Sequence, residues 1–415
     1  RKHFPHRVIS HTTPASPVNL LAIASYFKGE PFLEEAQRQG ANVYLLTSEH
    51  LRDEAWPYHA ITETFYMPDP GDAWNEADMI KAVSYVARRI DFQRIVALDD
   101  FDVEKAAALR EHLRVPGMGD TRTRYFRDKL AMRERAQDCG IAVPAFSPVV
   151  NHSKLHQFMQ ETEGPWVLKP RSQASAMGIK KINHPDELWP LLEQLGDEQS
   201  FHVLERFLPG DIYHVDCAIF DSEVVLSRVH KYGDPPMKTM HEGGVFTSFN
   251  VEKGSPDEVA LQAENLKVVQ AMGQRRGVMH TEFIKAHADG TFYFLETAAR
   301  VGGANIAEMM EASCGLNLWR EWAKIECTPD DGSYAPDETY EGYSGILVSL
   351  ARQEWPDLSG YSDPEIVWKM NKRHHAGLIV KGDSFDHVQQ RLDAYSRRFY
   401  DDFYTRLDAP DKATY

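Results

Sequence analysis

The sequence predicts a mixed chain: an α/β region at the amino end leading into an α+β body. Three observations predict it. Strand-like and helix-like patterns alternate from Asn19 to Leu113, the rhythm of an open parallel sheet with helices on its faces. The middle of the chain is rich in strands. Two apolar runs flank Asp289-Gly290, a strong hairpin signal. With 415 residues, 42% hydrophobic and 26% charged, the composition is that of an ordinary globular enzyme. The length suggests two to four domains at about 150 residues each.

In order, Asn19–Ser25 reads as a buried strand, Pro31–Gln39 as a helix stopped by Gly40, and Asn42–Thr47 as a second strand. Asn75–Arg89 is helical, Arg94–Leu98 a strand and Val103–Leu113 a helix. Pro116-Gly117-Met118-Gly119 is loop chemistry and marks a domain boundary. A basic amphipathic helix, Thr121–Asp138, follows. Strands are expected at Phe146–Val150, Trp166–Lys169 and Phe201–Leu208, with helices between them. Tyr213–Phe220 and Val224–His230 form a hairpin turning at Asp221-Ser222. A helix over Pro256–Gly273 leads into the hairpin Val278–Thr297. Strands near Ser344–Ala351 and within Glu365–Val380 precede a closing helix, Ser384–Leu407. No internal repeat or low-complexity segment is present.

Lys and Arg number 46 against 62 Asp and Glu, a net charge of −16. A surface this acidic repels phosphate backbones and anionic lipid, so neither nucleic acid nor a membrane is expected as a main partner. An anionic nucleotide could still bind, but only in a local basic pocket. Cys139, Cys217, Cys314 and Cys327 form no C-x-x-C pair, which argues against zinc or a disulfide framework and for a cytoplasmic protein. The longest apolar stretch, Val18–Phe27, is shorter than the ~20 residues of a membrane span. No signal-peptide core opens the chain.

The hairpin carries the most chemistry. With a three-residue loop, Ala288–Gly290, Gly290 is left-handed and Glu282 lies opposite Glu296. Period two then places Glu282, Ile284, Ala286, Phe292, Phe294 and Glu296 on one face. Opposed like charges on an apolar face are destabilising, and a divalent cation such as Mg²⁺ compensates naturally. A two-residue loop would make the acids diagonal, and a register shifted by one would expose them. Beyond the hairpin, Arg300 and the turn Gly302-Gly303 open a helical pattern at Ala304–Glu311. That suits an anion at a helix N-terminus, although a plain loop is the alternative.

Lys169 closes an apolar strand ahead of a small-residue loop from Arg171 to Gly178. The loop offers backbone amides and the Ser172 and Ser175 hydroxyls to a phosphate. Lys129 lies in the basic helix, where a solvated face would explain it equally. Glu205-Arg206-Phe207-Leu208 ends another strand and could read an adenine edge, or be an ordinary strand end. Lys231, Lys238 and His241 sit in a polar loop that either covers a site or is simply solvated. Asp99-Asp100 follows a strand's carboxyl end, where ligands bind in open α/β sheets; a plain loop fits as well.

In this order, Lys129, Lys169, the 171–178 loop, Glu205, Glu282, Glu296 and Arg300 resemble the ATP-grasp superfamily of carboxylate–amine ligases, over roughly Thr121–Trp322. The resemblance implies an ATP-grasp fold behind a Rossmann-like pre-ATP-grasp domain, with a carboxy-terminal α+β extension. The expected units are 1–118, 119–325 (small lobe about 146–204) and 326–415.

It also implies residue roles. Lys129 and Lys169 would contact the ATP phosphates, and the loop with Ser172, Ser175 and Gly178 would close over them. Glu205 and the Arg206–Leu208 backbone would read adenine. Glu282 and Glu296 would hold Mg²⁺, with Mn²⁺ as a substitute. Arg300 and Lys169 would be catalytic. Gly302, Gly303, Lys231, Lys238 and His241 are further substrate candidates. Three departures stand out, one being that the 171–178 loop lacks the glycine run common in biotin carboxylases. The family's Glu-x-Asn-x-Arg reads Glu296-Thr-Ala298-Ala-Arg300, so an asparagine ligand is missing. The position usually held by the ribose acid is Ile212, leaving Asp211 or His214 to serve.

The activity this implies is attack of a carboxylate on ATP to give an acyl phosphate, then transfer to an amine. The partners are ATP and small carboxylate and amine substrates, with a homodimer by analogy to the superfamily. Bicarbonate activation and a nucleotide-binding module without turnover are the competing readings.

Overall fold

A computed structural model describes residues 16–69, 73–172, 178–234 and 244–404. It contains three sheets. The first is parallel, in the order β3-β2-β1-β4, built from β1 (Asn19–Ala24), β2 (Asn42–Ser48), β3 (Glu63–Met67) and β4 (Arg94–Ala97). Its strands read as near-continuous apolar runs because both faces are covered. Leu20 to Ala24 are completely buried. The helices Glu30–Arg38, Glu76–Val86 and Val103–Leu113 fall where the periodicity puts them.

The second sheet is small and antiparallel, in the order β5-β8-β6-β7: β5 (Phe146–Pro148), β6 (Trp166–Pro170), β7 (Lys180–Ile182) and β8 (His202–Arg206). It packs on Leu155, Met159, Leu188 and Leu192 of the helices His152–Glu161 and Leu188–Leu195.

The third sheet has eight antiparallel strands in the order β13-β12-β9-β10-β11-β14-β16-β15. They are β9 (Gly210–Phe220), β10 (Glu223–Tyr232), β11 (Phe246–Asn250), β12 (Gly277–Ala286), β13 (Phe292–Ala298), β14 (Tyr343–Leu350), β15 (Ile366–Lys369) and β16 (His375–Gly382). Asp221 and Ser222 both take positive φ, the two-residue turn that matches the strands' twist. Strands β14 to β16 join β11 edge to edge. The described part of the last segment, 326–404, therefore shares its sheet with 210–298 rather than folding apart. We propose the division near residue 118 and the small lobe near 146–204 as the meaningful boundaries.

Several elements differ from expectation. The helix predicted over Thr121–Asp138 breaks: a short turn, Asp120–Thr123, is followed by a new helix, Lys129–Asp138. Asp128 causes the break by capping it, accepting from the amides of Leu130 and Ala131, a favoured N-cap role. The expected three-residue hairpin loop is also longer. The amide of Ala286 donates to the Thr291 carbonyl and that of Gly290 to the Ala286 carbonyl. Ile284 pairs with Tyr293 and Phe283 with Phe294, yet Glu282 still pairs with Glu296, because a bulge resets the register. Finally, β3, β7 and β11 are strands that the pattern did not announce. The described part of the closing helix, Phe385–Asp402, stops short of Leu407.

Candidate active site

One face of the large sheet gathers the polar residues. Antiparallel neighbours directly opposite each other share a face, so the register fixes the array. Glu296 on β13 faces Glu282 on β12, Glu282 faces His214 on β9, and His214 faces His230 on β10. In the next row, Ala298 faces His280 and His280 faces Asp216. The bulge corrects the expected companions of the two acids. Phe292 and Phe294 turn to the opposite side, into a cluster with Phe283. Tyr293 and Leu295 instead join Ile284, Ile212, Tyr232 and Leu208 in an apolar patch beside the carboxylates.

The basic residues meet this face from the new helix and the small sheet. Lys129 Nζ lies 3.0 Å from Glu296 Oε2. Its own amide donates to the carbonyl of Arg171, tying the helix start to the small sheet. Lys169 Nζ lies 3.0 Å from Glu205 Oε2, and Arg133 Nε lies 2.9 Å from Glu205 Oε1. Arg133, one helical turn beyond Lys129, is fully buried and also donates to the Leu295 carbonyl. Burial raises the Glu296 carboxyl pKa, but Lys129, Lys169 and Arg133 outweigh it and bring it down to about 2. Glu205 shifts the same way: burial opposes, and Arg133 and Lys169 prevail.

This corrects one expectation. The Glu205 carboxylate is 1% exposed and committed to two cations. It cannot also meet an adenine, so only the backbone of Arg206–Leu208 remains for that. Arg171 is likewise taken, forking onto Asp128.

The sequence reading also missed a buried knot of histidines. Asp216 accepts from His214 Nδ1 at 2.6 Å, His230 Nδ1 at 2.8 Å and His280 Nδ1 at 2.7 Å. His214 Nε2 pairs with Ser248 Oγ at 2.7 Å, so His214 is structural and unfit for a ribose. Burial pushes His214 down to about 3. Burial opposes a charge on His280 too, yet Asp216 and Glu282 raise it to about 10. Tyr232 donates its hydroxyl to Glu282 Oε1 at 3.0 Å. A signal existed: His214-x-Asp216, His230-x-Tyr232 and His280-x-Glu282 are polar residues at period two inside apolar strands.

Parity removes two candidates. Asp211 and Lys231 pair with each other at 3.4 Å and lie, with Tyr213, on the opposite face of the sheet from Ile212 and Glu282. Neither reaches the carboxylates. Lys238, His241 and Ser175 lie outside the described residues. Ser172 sits at the loop's start, its carbonyl accepting from Arg127, and Gly178 takes a φ of 71° at the loop's far end.

Arg300 donates through Nε to Asp100 Oδ2 at 2.6 Å and through Nη1 to the carbonyl of Val301. Asp99 beside it pairs with Lys28. These acids leave the carboxyl end of β4, next to the end of β1, where the order of the parallel sheet reverses. That is the crevice where such sheets bind ligands. The helix after Gly303 begins at Ile306, two residues later than expected, because Ala304 and Asn305 are left-handed. A Cβ on Gly302 would come within 2.8 Å of His280 Nδ1 and 3.2 Å of Asp216 Oδ1. Gly302→Ala is therefore expected to cost about 1–3 kcal/mol of stability through overpacking. A melting temperature equal to the parent's would contradict this.

Parallel sheet, small antiparallel lobe and large antiparallel sheet, with Lys129 and Lys169 brought to the acids between them, define an ATP-grasp fold. No family model matches the chain. It is 24% identical over 292 residues to an L-arginine-specific L-amino acid ligase of Bacillus subtilis, covering 67% of this chain and 70% of that protein. It is 24% identical over 181 residues to a D-alanine–D-alanine ligase B of Chromobacterium violaceum, spanning 42% of this chain and 57% of that one. An L-amino acid ligase structure from Bacillus licheniformis superposes with a TM-score of 0.74 at 20% identity, over 94% of this chain and 100% of that chain. An N5-carboxyaminoimidazole ribonucleotide synthetase from Thermus thermophilus gives 0.68 at 18% identity, over 94% of this chain and 99% of that chain. Among the described residues no helix is long and apolar enough to cross a membrane.

Proposed function

We propose that the chain is an ATP-dependent, ADP-forming ligase that joins a carboxylate to an amine, an amino acid being the leading carboxylate substrate. The supporting observation is the set of Lys129, Lys169, Glu282 and Glu296 gathered between the two antiparallel sheets of an ATP-grasp fold. The naming of its sequence relatives as amino-acid and D-alanine ligases points the same way.

A carboxylate does not acylate an amine in water. It first attacks the γ-phosphorus of ATP, releasing ADP, and the amine then displaces phosphate from the acyl phosphate. Phosphoryl transfer needs mainly positioning and charge neutralisation. Lys129 and Lys169 would supply positive charge to the phosphates. Arg300, held by Asp100, would present its Nη2 end to the transferring group. The apolar patch of Ile212, Ile284, Leu208 and Leu295 suits a flat base against the Arg206–Leu208 backbone. Glu282 and Glu296, directly opposed across β12 and β13, suit Mg²⁺. When bound, such an ion would supply positive charge that neutralises the charge developing on the transferring phosphoryl group. A cytoplasmic homodimer completes the proposal.

ADP release measured against pairs of amino acids, and separately against bicarbonate, tests it. Release that requires both a carboxylate and an amine is expected. Release driven by bicarbonate would favour the carboxylase reading, and no release with any carboxylate would favour a binding module.

A further inference from the structure

The parallel sheet holds a cleft of about 470 Å³ between its edge strand β3 and the helix Glu76–Val86. That is the volume of a small-molecule site. It lies three strands away from β4, whose end leads to Asp99 and Asp100. Its floor is apolar and reaches the core of the sheet, because the buried residues Leu21, Leu46, Val83 and Phe92 line it. Phe65, Tyr66 and Tyr85 form its walls, and Tyr85 is 65% exposed. An apolar body entering here removes that surface from water, which is favourable in proportion to the area covered.

Arg52 is the one charged residue among the described lining residues. Its guanidinium lies over the Tyr66 ring, 3.8 Å from the centroid. Tyr58 donates its hydroxyl hydrogen to the Arg52 carbonyl at 2.6 Å. Having spent its one hydrogen, that hydroxyl accepts from Tyr66 Oη, 3.1 Å away. Carbonyl, two phenols and guanidinium thus close a ring of contacts that holds the arginine fork at the cleft. The acid nearest to it, Glu49, stands 3.8 Å away, and both side chains are more than half exposed. Such a surface pair is worth little and yields to a better-placed carboxylate. Arg89, by contrast, forks onto Glu63 at 2.7 and 2.9 Å and is committed. None of the described lining residues is acidic, so a ligand ammonium would enter without a counter-charge.

We propose that this cleft binds a small apolar carboxylate, an aryl or branched aliphatic acid that carries no ammonium group. Its body rests on Leu21, Leu46, Val83 and Phe92, and its carboxylate takes the two parallel N–H groups of Arg52. The charge of the lining selects against zwitterionic amino acids, so this ligand is distinct from the substrates of the proposed ligase. The inference stands on the cleft itself and does not depend on the ligase reading.

The test is calorimetric titration of the full chain with 3-phenylpropionate, alone and in the presence of excess phenylalanine. A single saturable site that phenylalanine does not compete for is expected. Arg52→Met should weaken binding by about tenfold or more, the loss of a charged hydrogen-bonding partner. Ala82→Trp, which fills the cleft from an exposed lining position on the helix, should abolish it. Both changed residues are exposed, so melting temperatures equal to the parent's are expected and show that the fold is intact. Absence of 3-phenylpropionate binding overturns the proposal. Undiminished binding in either variant places the acid elsewhere and overturns it too, as does displacement by phenylalanine.

Discussion

Replacing Glu296 by glutamine is expected to abolish ADP release, lowering the rate by about a thousandfold or more. That loss corresponds to the several kcal/mol that a bound cation contributes to charge stabilisation. The substitution keeps the shape and an acceptor for Lys129 Nζ, 3.0 Å away. It removes only the charge that would hold the metal. Glutamine also leaves Lys129, 9% exposed, facing a neutral amide, so a fall in melting temperature at neutral pH should accompany the loss of activity. Acid titration gives a second readout. The folded carboxyl titrates near 2, against about 4.3 for an unperturbed glutamate. Its stabilising contribution is therefore complete above about 4.3 and is lost as pH falls towards 2. Glu296→Gln should flatten the acid limb of the stability curve in that window. Arg300→Ala should abolish ADP release as well, again with a loss of stability, because buried Asp100 loses its partner. Undiminished turnover in either variant would sink the assignment of the site.

The opposition of Glu282 to Glu296 was legible from the hairpin, because period two and an Asp-Gly turn constrain the pairing. The loop length behind it was not. The bulge beside Leu295 offsets an extra loop residue, so the predicted pair survives while Phe292 and Phe294 change sides. A bulge has no sequence signature as sharp as a turn's. Asp211 and Lys231 failed for a simpler reason. They were judged by proximity along the chain, whereas a strand's alternate residues face opposite ways. Once Ile212 and His214 face the acids, the odd-numbered residues beside them cannot. Arg133 was harder to see. It lies one helical turn from Lys129, a spacing that puts both on one face. Only the fold reveals that this face is buried against Glu205 rather than solvated.

Arg133 is therefore where a change distant from any reacting atom should have its largest effect. Its guanidinium is fully buried, 2.9 Å from Glu205 Oε1, and also donates to the Leu295 carbonyl at the bulge. Arg133→Met keeps the volume and loses the charge. Glu205, 1% exposed, would then keep only Lys169 as a direct partner. Breaking one side of a buried pair typically costs about 3–5 kcal/mol, because the remaining charge cannot be solvated. A fall of that size in the unfolding free energy is expected for Arg133→Met, measured by denaturant titration. Adding Glu205→Gln should restore part of it, since the uncompensated charge is removed. A single variant within about 0.5 kcal/mol of the parent would place Arg133 among ordinary surface positions and refute the network. The location gives the effect a functional side. Arg133 braces Glu205, Glu205 holds Lys169, and Arg133 also grips the strand one residue before Glu296. One buried arginine thus ties the small sheet's lysine to the large sheet's carboxylate strand, and its loss should loosen both sheets together.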